Sequence, residues 1–346
     1  MTKEHKVVVG CDIGGAHFKI ARAENGRIIE ALTLATPLWL GLDQLTKAIK
    51  EASPLFAGSD LNAFTMTGEL SDIFPSREAG ISGLLEQIAR HFPGEPAIYA
   101  GRSGFVKPGR AVKLGGDVAS ANWHASAALV ARILGDALFV DMGSTTTDII
   151  VARDGKVANQ GYTDAERLLT GELVYTGFVR SALHGITPSA PVQGRPTPLM
   201  NEYFASIADV HRILGVLDEN DDKQPSADRE AKTLEGSTAR MARMVGRDAA
   251  DLSTAEWRDL AAWFSEQQLR LVHDGTFMAA GTHRLADDAP VVGAGIGRWQ
   301  ISRLATRMER RYIDFADIIP ADEIARKEAS SAAPAAAVAL LASDLR

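Results

Sequence analysis

Over the first third of the chain, apolar residues fall in short runs separated by glycine-bearing turns. Val7-Val8-Val9 reads as a buried strand. Asp12-Ile13-Gly14-Gly15 follows as a tight turn, and residues 18–23 suit a strand better than a helix start. Asn25-Gly26 is a type I′ hairpin signal, which makes Arg27-Ile28-Ile29 a third antiparallel strand. The pattern then predicts a helix over 42–52, a strand over 64–67, a helix over 78–91 and a strand over 97–100. A helix over 117–134 follows, with Asp117 as its cap.

The opening pattern then returns. Leu138-Phe139-Val140 is a strand, Asp141-Met142-Gly143-Ser144 a turn, Ile149-Ile150-Val151 a strand and Asp154-Gly155 a second type I′ signal. At an offset of 129 residues, Asp12 falls on Asp141, Gly14 on Gly143, Ile20 on Ile149 and Asn25-Gly26 on Asp154-Gly155, without a gap. Strand, turn, strand and hairpin in one register argue for a structural duplication. The expected organisation is a lobe over 1–135 and a second over 136–346, the latter carrying a helical insertion over about 195–275. A closing helix over the Ala-rich 332–341 is free to pack on the first lobe.

Between these landmarks, helical spacing runs over 164–183, 199–217, 228–245 and 254–274. A loop with Pro188, Pro191, Pro196 and Pro198 interrupts it, with room for a short strand at its start, and the polar 218–225 reads as an exposed loop. Pro290-Val291-Val292 is a strand running into Gly293-Ala294-Gly295-Ile296-Gly297, before a helix over 298–310 and a strand over 312–315. The fold class is α/β, with mixed sheets and flanking helices around a central cleft.

Composition narrows the function. The chain has 346 residues, 46% of them hydrophobic, enough for more than one core. A net charge of −7 gives no broad electrostatic basis for binding nucleic acid or an anionic membrane. Cys11 is the single cysteine and sits in an apolar strand, so it reads as a small core residue in a reducing compartment. No apolar stretch follows the early lysines as a secretion signal requires, and no run reaches the ~18–20 apolar residues of a membrane span. The expectation is a cytoplasmic protein, and homo-oligomerisation stays open.

A glycine-rich turn between two strands brings backbone N–H groups up to a phosphate. An Asp at the strand end holds Mg²⁺, and the ion meets the phosphate oxygens. Asp12 with Gly14 and Gly15 is one such turn, and Asp141 with Gly143, Ser144, Thr145 and Thr146 the other. Lys19 adds a cation, and Asp148 a further metal or turn-ordering carboxylate. Either turn alone could be a plain hairpin; the aligned pair favours a shared phosphate cleft. Gly293 and Gly295 suit close approach to a nucleotide or diphosphate at a helix start, although the spacing is not that of a dinucleotide motif. His17 lies beside the first turn, whereas His124 falls in a helical pattern and reads as packed or exposed. Metalloprotease, acyl-transfer and Walker A signatures are absent from the sequence.

The order of hairpin, hairpin and glycine turn resembles the acetate and sugar kinase/Hsp70/actin (ASKHA) superfamily. Its lobes are duplicated, ribonuclease H-like units. The run Val140-Asp141-Met142-Gly143-Ser144-Thr145-Thr146-Thr147-Asp148 is similar to the hydantoinase/oxoprolinase branch. Met66-Thr67-Gly68-Glu69-Leu70, Ser120-Ala121-Asn122-Trp123-His124-Ala125 and Gly171-Glu172-Leu173-Val174-Tyr175-Thr176-Gly177 resemble the condensing enzymes of methanofuran biosynthesis, whose relatives serve tetrahydromethanopterin-linked one-carbon pathways. The resemblance implies a transferase without an ATP requirement. It would join an (aminomethyl)furanmethyl diphosphate to the phenol of a γ-glutamyltyramine-like substrate, forming an aryl ether and releasing pyrophosphate. It implies catalytic roles for Asp12, Lys19, Asp141 and Glu69, with Glu69 taking the phenol proton or binding the amine. It also implies Mg²⁺ on Asp12, Asp141 and Asp148, and substrate contacts from His17, Asn122 and Glu172. An ATP-dependent kinase or amidohydrolase-type enzyme on the same fold uses the same phosphate residues.

Overall fold

The computed structural model describes residues 6–92 and 94–345. Two mixed sheets carry the chain. The first runs β3-β2-β1-β4-β5-β6, from β1 (Val7–Ile13), β2 (His17–Glu24), β3 (Arg27–Ala35), β4 (Leu61–Met66), β5 (Ala97–Tyr99) and β6 (Phe105–Val106). β1, β4 and β5 are parallel, and β2 and β3 return antiparallel.

The second sheet repeats that plan with β7 (Ala137–Met142), β8 (Thr147–Arg153), β9 (Lys156–Ala158) and β10 (Leu173–Val174). β7 pairs antiparallel with β8, and β8 with both β9 and β10. A hairpin of β11 (Ser189–Val192) and β12 (Arg195–Pro198) stands apart. β13 (Val291–Gly295) then pairs parallel with β7, and β14 (Tyr312–Asp314) parallel with β13. Both type I′ turns form, with positive φ at Asn25, Gly26, Asp154 and Gly155.

β1 and β7 are buried along their whole length, as centre strands covered on both faces must be. Alternate residues therefore feed different cores. Val8 and Phe139 join a core shared by both sheets with the helices Asn122–Leu134 and Ala333–Ala342. Val9 and Cys11 face a separate core under the helices of the first lobe. Burial of Cys11 pushes its thiol pKa up, in keeping with an inert packing role. The Ala-rich helix Ala333–Ala342 lies against β1, and its small side chains permit very close approach: a β-carbon at Gly10 would collide with the Ala335 carbonyl.

The segment between β10 and β13 forms its own core beside the second sheet, around Trp257, Phe264 and Met241. Several predicted helices are shorter than their apolar spacing implies. The helix after residue 163 is Asp164–Thr170, closed by Gly171 in the left-handed region at φ 76° so that β10 can pair with β8. The helix expected over 199–217 is Ile207–Leu214, started by a Ser206/Asp209 capping box and stopped by Gly215. The next is Leu234–Met244. Thr254–His283 runs longer than expected, because Gly275 packs against Gly171, Ile149 and Val174 instead of ending it. Asp117 is not a cap: it lies in the separate turn Gly115–Val118 and accepts from Arg102 and Ser103. The predicted closing helix over 332–341 forms as Ala333–Ala342, preceded by a separate short helix Arg326–Ser331. No described helix is long and apolar enough to cross a membrane.

Gly10→Ala should cost about 1–3 kcal/mol through overpacking. Urea denaturation followed by far-UV circular dichroism checks this, and an unchanged midpoint would contradict the close packing of the last helix on β1.

Candidate active site

The turns after β1 and β7 open on one cleft of about 370 Å³ between the two sheets. They are built alike: Gly14 N–H donates to the His17 carbonyl at 2.9 Å, and Gly143 N–H to the Thr146 carbonyl at 3.0 Å. The amides of Gly15, Ala16, Ser144, Thr145 and Thr146 find no acceptor among the described residues. They form a ready cradle for an anion. The segment after β10 clamps the second turn, with Phe178 N–H on the Gly143 carbonyl at 2.8 Å and Arg180 N–H on that of Ser144 at 2.8 Å. Gly177 packs directly on the turn backbone, where any side chain would collide.

Asp12 and Asp141 line the cleft from the strand ends and are nearly fully buried. Each keeps one oxygen, Oδ1, without a hydrogen-bond partner among the described residues. Burial is the main cause of their raised pKa values, about 6 for Asp12 and about 7 for Asp141. Lys19 opposes the shift in both, while Asp148 adds to it. Asn122 reaches Asp12 Oδ2 only at 3.5 Å.

The 129-residue register puts Lys19 and Asp148 at matching positions, and the strands pair Asp12 with Lys19 and Asp141 with Asp148. Asp148 lines the cleft, but its carboxylate receives Arg167 at 2.6 Å. Expected as a metal or turn-ordering carboxylate, it here neutralises, through one oxygen, a fully buried guanidinium that stacks over Trp123 at 4.3 Å. Two carboxylates with free oxygens remain. Among the described residues no group of three or more His, Cys, Asp or Glu could hold a metal. Magnesium commonly takes one or two carboxylates and completes its shell with water and phosphate, so the oxygen-only pair Asp12 and Asp141 fits it.

Gly14, Gly15, His17, Lys19, Asn122, Gly143, Ser144, Thr145 and Thr146 all border the cleft. Burial, then the charges of Lys19, Arg180 and Lys223, drives the His17 pKa down to about 3 and keeps the ring neutral. Glu69 does not face the cleft: it is fully buried behind Ser120, whose hydroxyl donates to Oε1 at 2.8 Å. Burial raises its pKa to about 7.

Three expected contacts are displaced. Glu172 is buried away from the cleft and accepts from the N–H groups of Gln160 and Gly161, at 2.7 Å each, and from Thr170 at 2.8 Å. Its motif ties down a loop. Gly293 lies under the Tyr312 ring, and Gly295, at φ 80°, packs against Met142 and the Asp141 carboxylate. They bring β13 close to β7 and do not border the cleft. A second cavity of about 470 Å³ lies beyond Ile296 and shares His17, Lys19, Gly143 and Ser144. The ion pair of Lys327 with Asp218 lines it. His124 is packed, its Nδ1 2.9 Å from the Tyr99 hydroxyl.

Residue spacing left some cleft residues unmarked. Arg180 has no ion pair among the described residues, touches Thr145 at 3.4 Å and reaches across to the Trp39 ring at 5.2 Å. Trp39, Leu70, Leu168 and Tyr175 give the cleft an apolar rim. Trp39, Leu168 and Arg180 lie outside every quoted motif, while Leu70 and Tyr175 lie within two of them as residues to which no role was given.

The hydantoinase/oxoprolinase family model matches residues 60–313. The chain belongs to the hydantoinase/oxoprolinase family. Within it, the chain is 30% identical over 336 residues to the (4-{4-[2-(gamma-L-glutamylamino)ethyl]phenoxymethyl}furan-2-yl)methanamine synthase of Methanocaldococcus jannaschii, covering 97% of each chain. The Methanococcus vannielii protein of the same name is 29% identical over 204 residues, 59% of this chain and 89% of that one. The membership matches the branch that the second turn and the three short motifs resemble. A solved nucleotide-free acetone carboxylase aligns with 99% of this chain and 71% of its own, at TM-score 0.50 and 10% identity. The fold of this hydantoinase/oxoprolinase-family protein is the duplicated ASKHA architecture.

The two raised carboxylates set a pH dependence. The native state still holds protons that the unfolded chain has released between about pH 4 and 7, so their contribution to stability falls as pH rises through that window. Asp141→Asn should melt several degrees higher than the parent at pH 7.5 in chelator, and its melting temperature should vary less from pH 5 to 7.5. Scanning calorimetry measures both; a lower melting point at pH 7.5 would mean that the charged carboxylate stabilises the turn.

Proposed function

We propose that this protein is a transferase that joins an (aminomethyl)furanmethyl diphosphate to the phenol oxygen of a γ-glutamyl-tyramine or tyrosine-type acceptor, releasing pyrophosphate. The observation carrying the reading is the pair of glycine turns. Their unpaired amides face a cleft that also holds Lys19 and Arg180. The relatives' names describe a phenoxymethyl-furan product with a γ-glutamyl tail.

In this reaction the bond from the furan methylene to the diphosphate oxygen breaks, and its electron pair leaves with the diphosphate. The furan ring stabilises the cationic carbon, and the phenol oxygen closes the new ether and sheds its proton. The protein's main task is then to stabilise charge on the leaving group. The amides of Gly15, Ala16, Ser144, Thr145 and Thr146 would donate to the diphosphate, and Lys19 and Arg180 would offset its charge. Magnesium held by Asp12 and Asp141 would neutralise further oxygens. Neutral His17 would border the same anion. The apolar rim of Trp39, Leu70, Leu168 and Tyr175 would keep water from the cationic carbon.

An ATP-using enzyme on the same fold is the second reading, favoured by the cavity beyond Ile296. Against it, Tyr312 and Met142 fill the space beside Gly293 and Gly297, and charged side chains line that cavity.

With furanmethyl diphosphate, phenol and Mg²⁺ but no ATP, ether and pyrophosphate should appear in equal amounts by mass spectrometry and phosphate assay. Turnover only when ATP is added would overturn the reading. Asp141→Asn should lower turnover about 100-fold or more while the protein stays folded. Arg180→Met should weaken binding of inorganic pyrophosphate about tenfold by calorimetry, as loss of a charge-assisted contact does.

A further inference from the structure

The cleft has a second wall, away from the glycine turns. Asp72, Ser120 and Asp164 line it, and Glu69 stands directly behind Ser120. Ser120 is a non-glycine residue at φ 50°, 7% exposed, with its hydroxyl donating to Glu69 Oε1 at 2.8 Å. A hydroxyl that donates backward presents its lone pairs forward, as an acceptor. Asp164 Oδ2 lies 3.4 Å from the same hydroxyl. Glu69 is 0% exposed, meets this wall through Oε1 on Ser120, and leaves Oε2 without a partner among the described residues.

The local balance is anionic. Arg77, on Asp164 Oδ2 at 3.2 Å, is the ion-pair cation on this wall, and Asp72 has none among the described residues. Glu69 is wholly buried, Asp164 is half-buried and Asp72 is exposed at the mouth, so a positive group arriving from the open side meets the partly desolvated Asp164 first. A primary ammonium suits them: its N–H donors can reach Ser120 Oγ and the Asp164 carboxylate from the open side. The wall also joins the lobes, since Asp164 opens the helix after β9 while Glu69, Arg77 and Ser120 belong to the first lobe.

We propose that Ser120 and Asp164, backed by Glu69, form a primary-ammonium subsite. It takes the aminomethyl end of the furan substrate while the glycine turns hold the diphosphate end. This rests on the ether-forming reading and settles which carboxylates meet the amine. Asp164 and Ser120 touch the ammonium; Glu69 acts through Ser120 as a positioning residue. The cleft then selects a furan charged oppositely at its two ends and orients its reactive methylene toward the apolar rim.

The test uses the whole protein and two inert ligands, furanmethyl methylenediphosphonates with and without the aminomethyl group, titrated calorimetrically with no phenol present. The parent protein should bind the amine form about tenfold or more tightly, as a charge-assisted contact predicts. Asp164→Asn and Ser120→Ala should bring that ratio toward one and leave the des-amino affinity within about twofold. Equal binding of both ligands by the parent would overturn the subsite. So would an unchanged ratio in both variants, or equal losses for both ligands, which would mark a purely structural wall. Binding is read without turnover, so a missing ether product would sink the assigned reaction without altering this ratio.

Discussion

Two aspartates end the two central strands of the molecule, face one cleft, and are taken almost wholly out of water. Each retains an oxygen with no partner among the described residues. That arrangement opposes folding, because a desolvated carboxylate favours its neutral form and the chain must hold it in place against that cost. It persists because β1 and β7 are anchored elsewhere. Both are fully buried, and the inner faces of both sheets share one core with two helices. The unfavourable electrostatics of the site are thereby carried by packing remote from it, as expected where strain serves binding.

The duplicated halves have diverged at the place that matters most. Matching positions carry Lys19 in the first lobe and Asp148 in the second. Lys19 remains a cation facing the turns, while Asp148 has been drawn off to neutralise Arg167. The cleft is therefore asymmetric although its backbone is nearly symmetric: Lys19, Arg180 and the free amides stand with Asp12 and Asp141 at the turns, while Asp72 and Asp164 stand without a facing lysine at the wall near Ser120. A substrate with diphosphate at one end and an amine at the other matches that polarity, whereas a bare nucleotide phosphate would use only half of it.

Much of the fold was legible because its signals are local. The type I′ dipeptides, the apolar triplets and the repeated Asp-x-Gly turns each specify backbone geometry within a few residues, and the gapless offset made two sheets out of one pattern. Helix lengths in the second half were less legible. Apolar spacing continued past residues where glycine ended a helix, as at Gly171, and a glycine that packs against another backbone, Gly275, did not end one. Most of the anion cradle was legible too, down to Lys19 and the three hydroxyl residues after Gly143. Glu172, Gly293 and Gly295 stood in motifs that looked chemical and turned out to be packing devices, since close-packed backbone and ligand contact leave the same residues in a sequence.

By itself, then, the sequence determined the duplicated α/β plan, the two glycine turns and the family, since these depend on neighbours along the chain. Only the tertiary structure decided which charges are spent and which are free. Among the described residues Asp148 has an ion pair and Asp141 has none; Arg180 has no ion pair, whereas Arg212 is held by Glu219 and Asp222. It also placed Glu69 behind Ser120, out of the cleft. Those outcomes depend on which side chains meet across distances of tens of residues. Desolvation and ion pairing act through space, so no local pattern could report them.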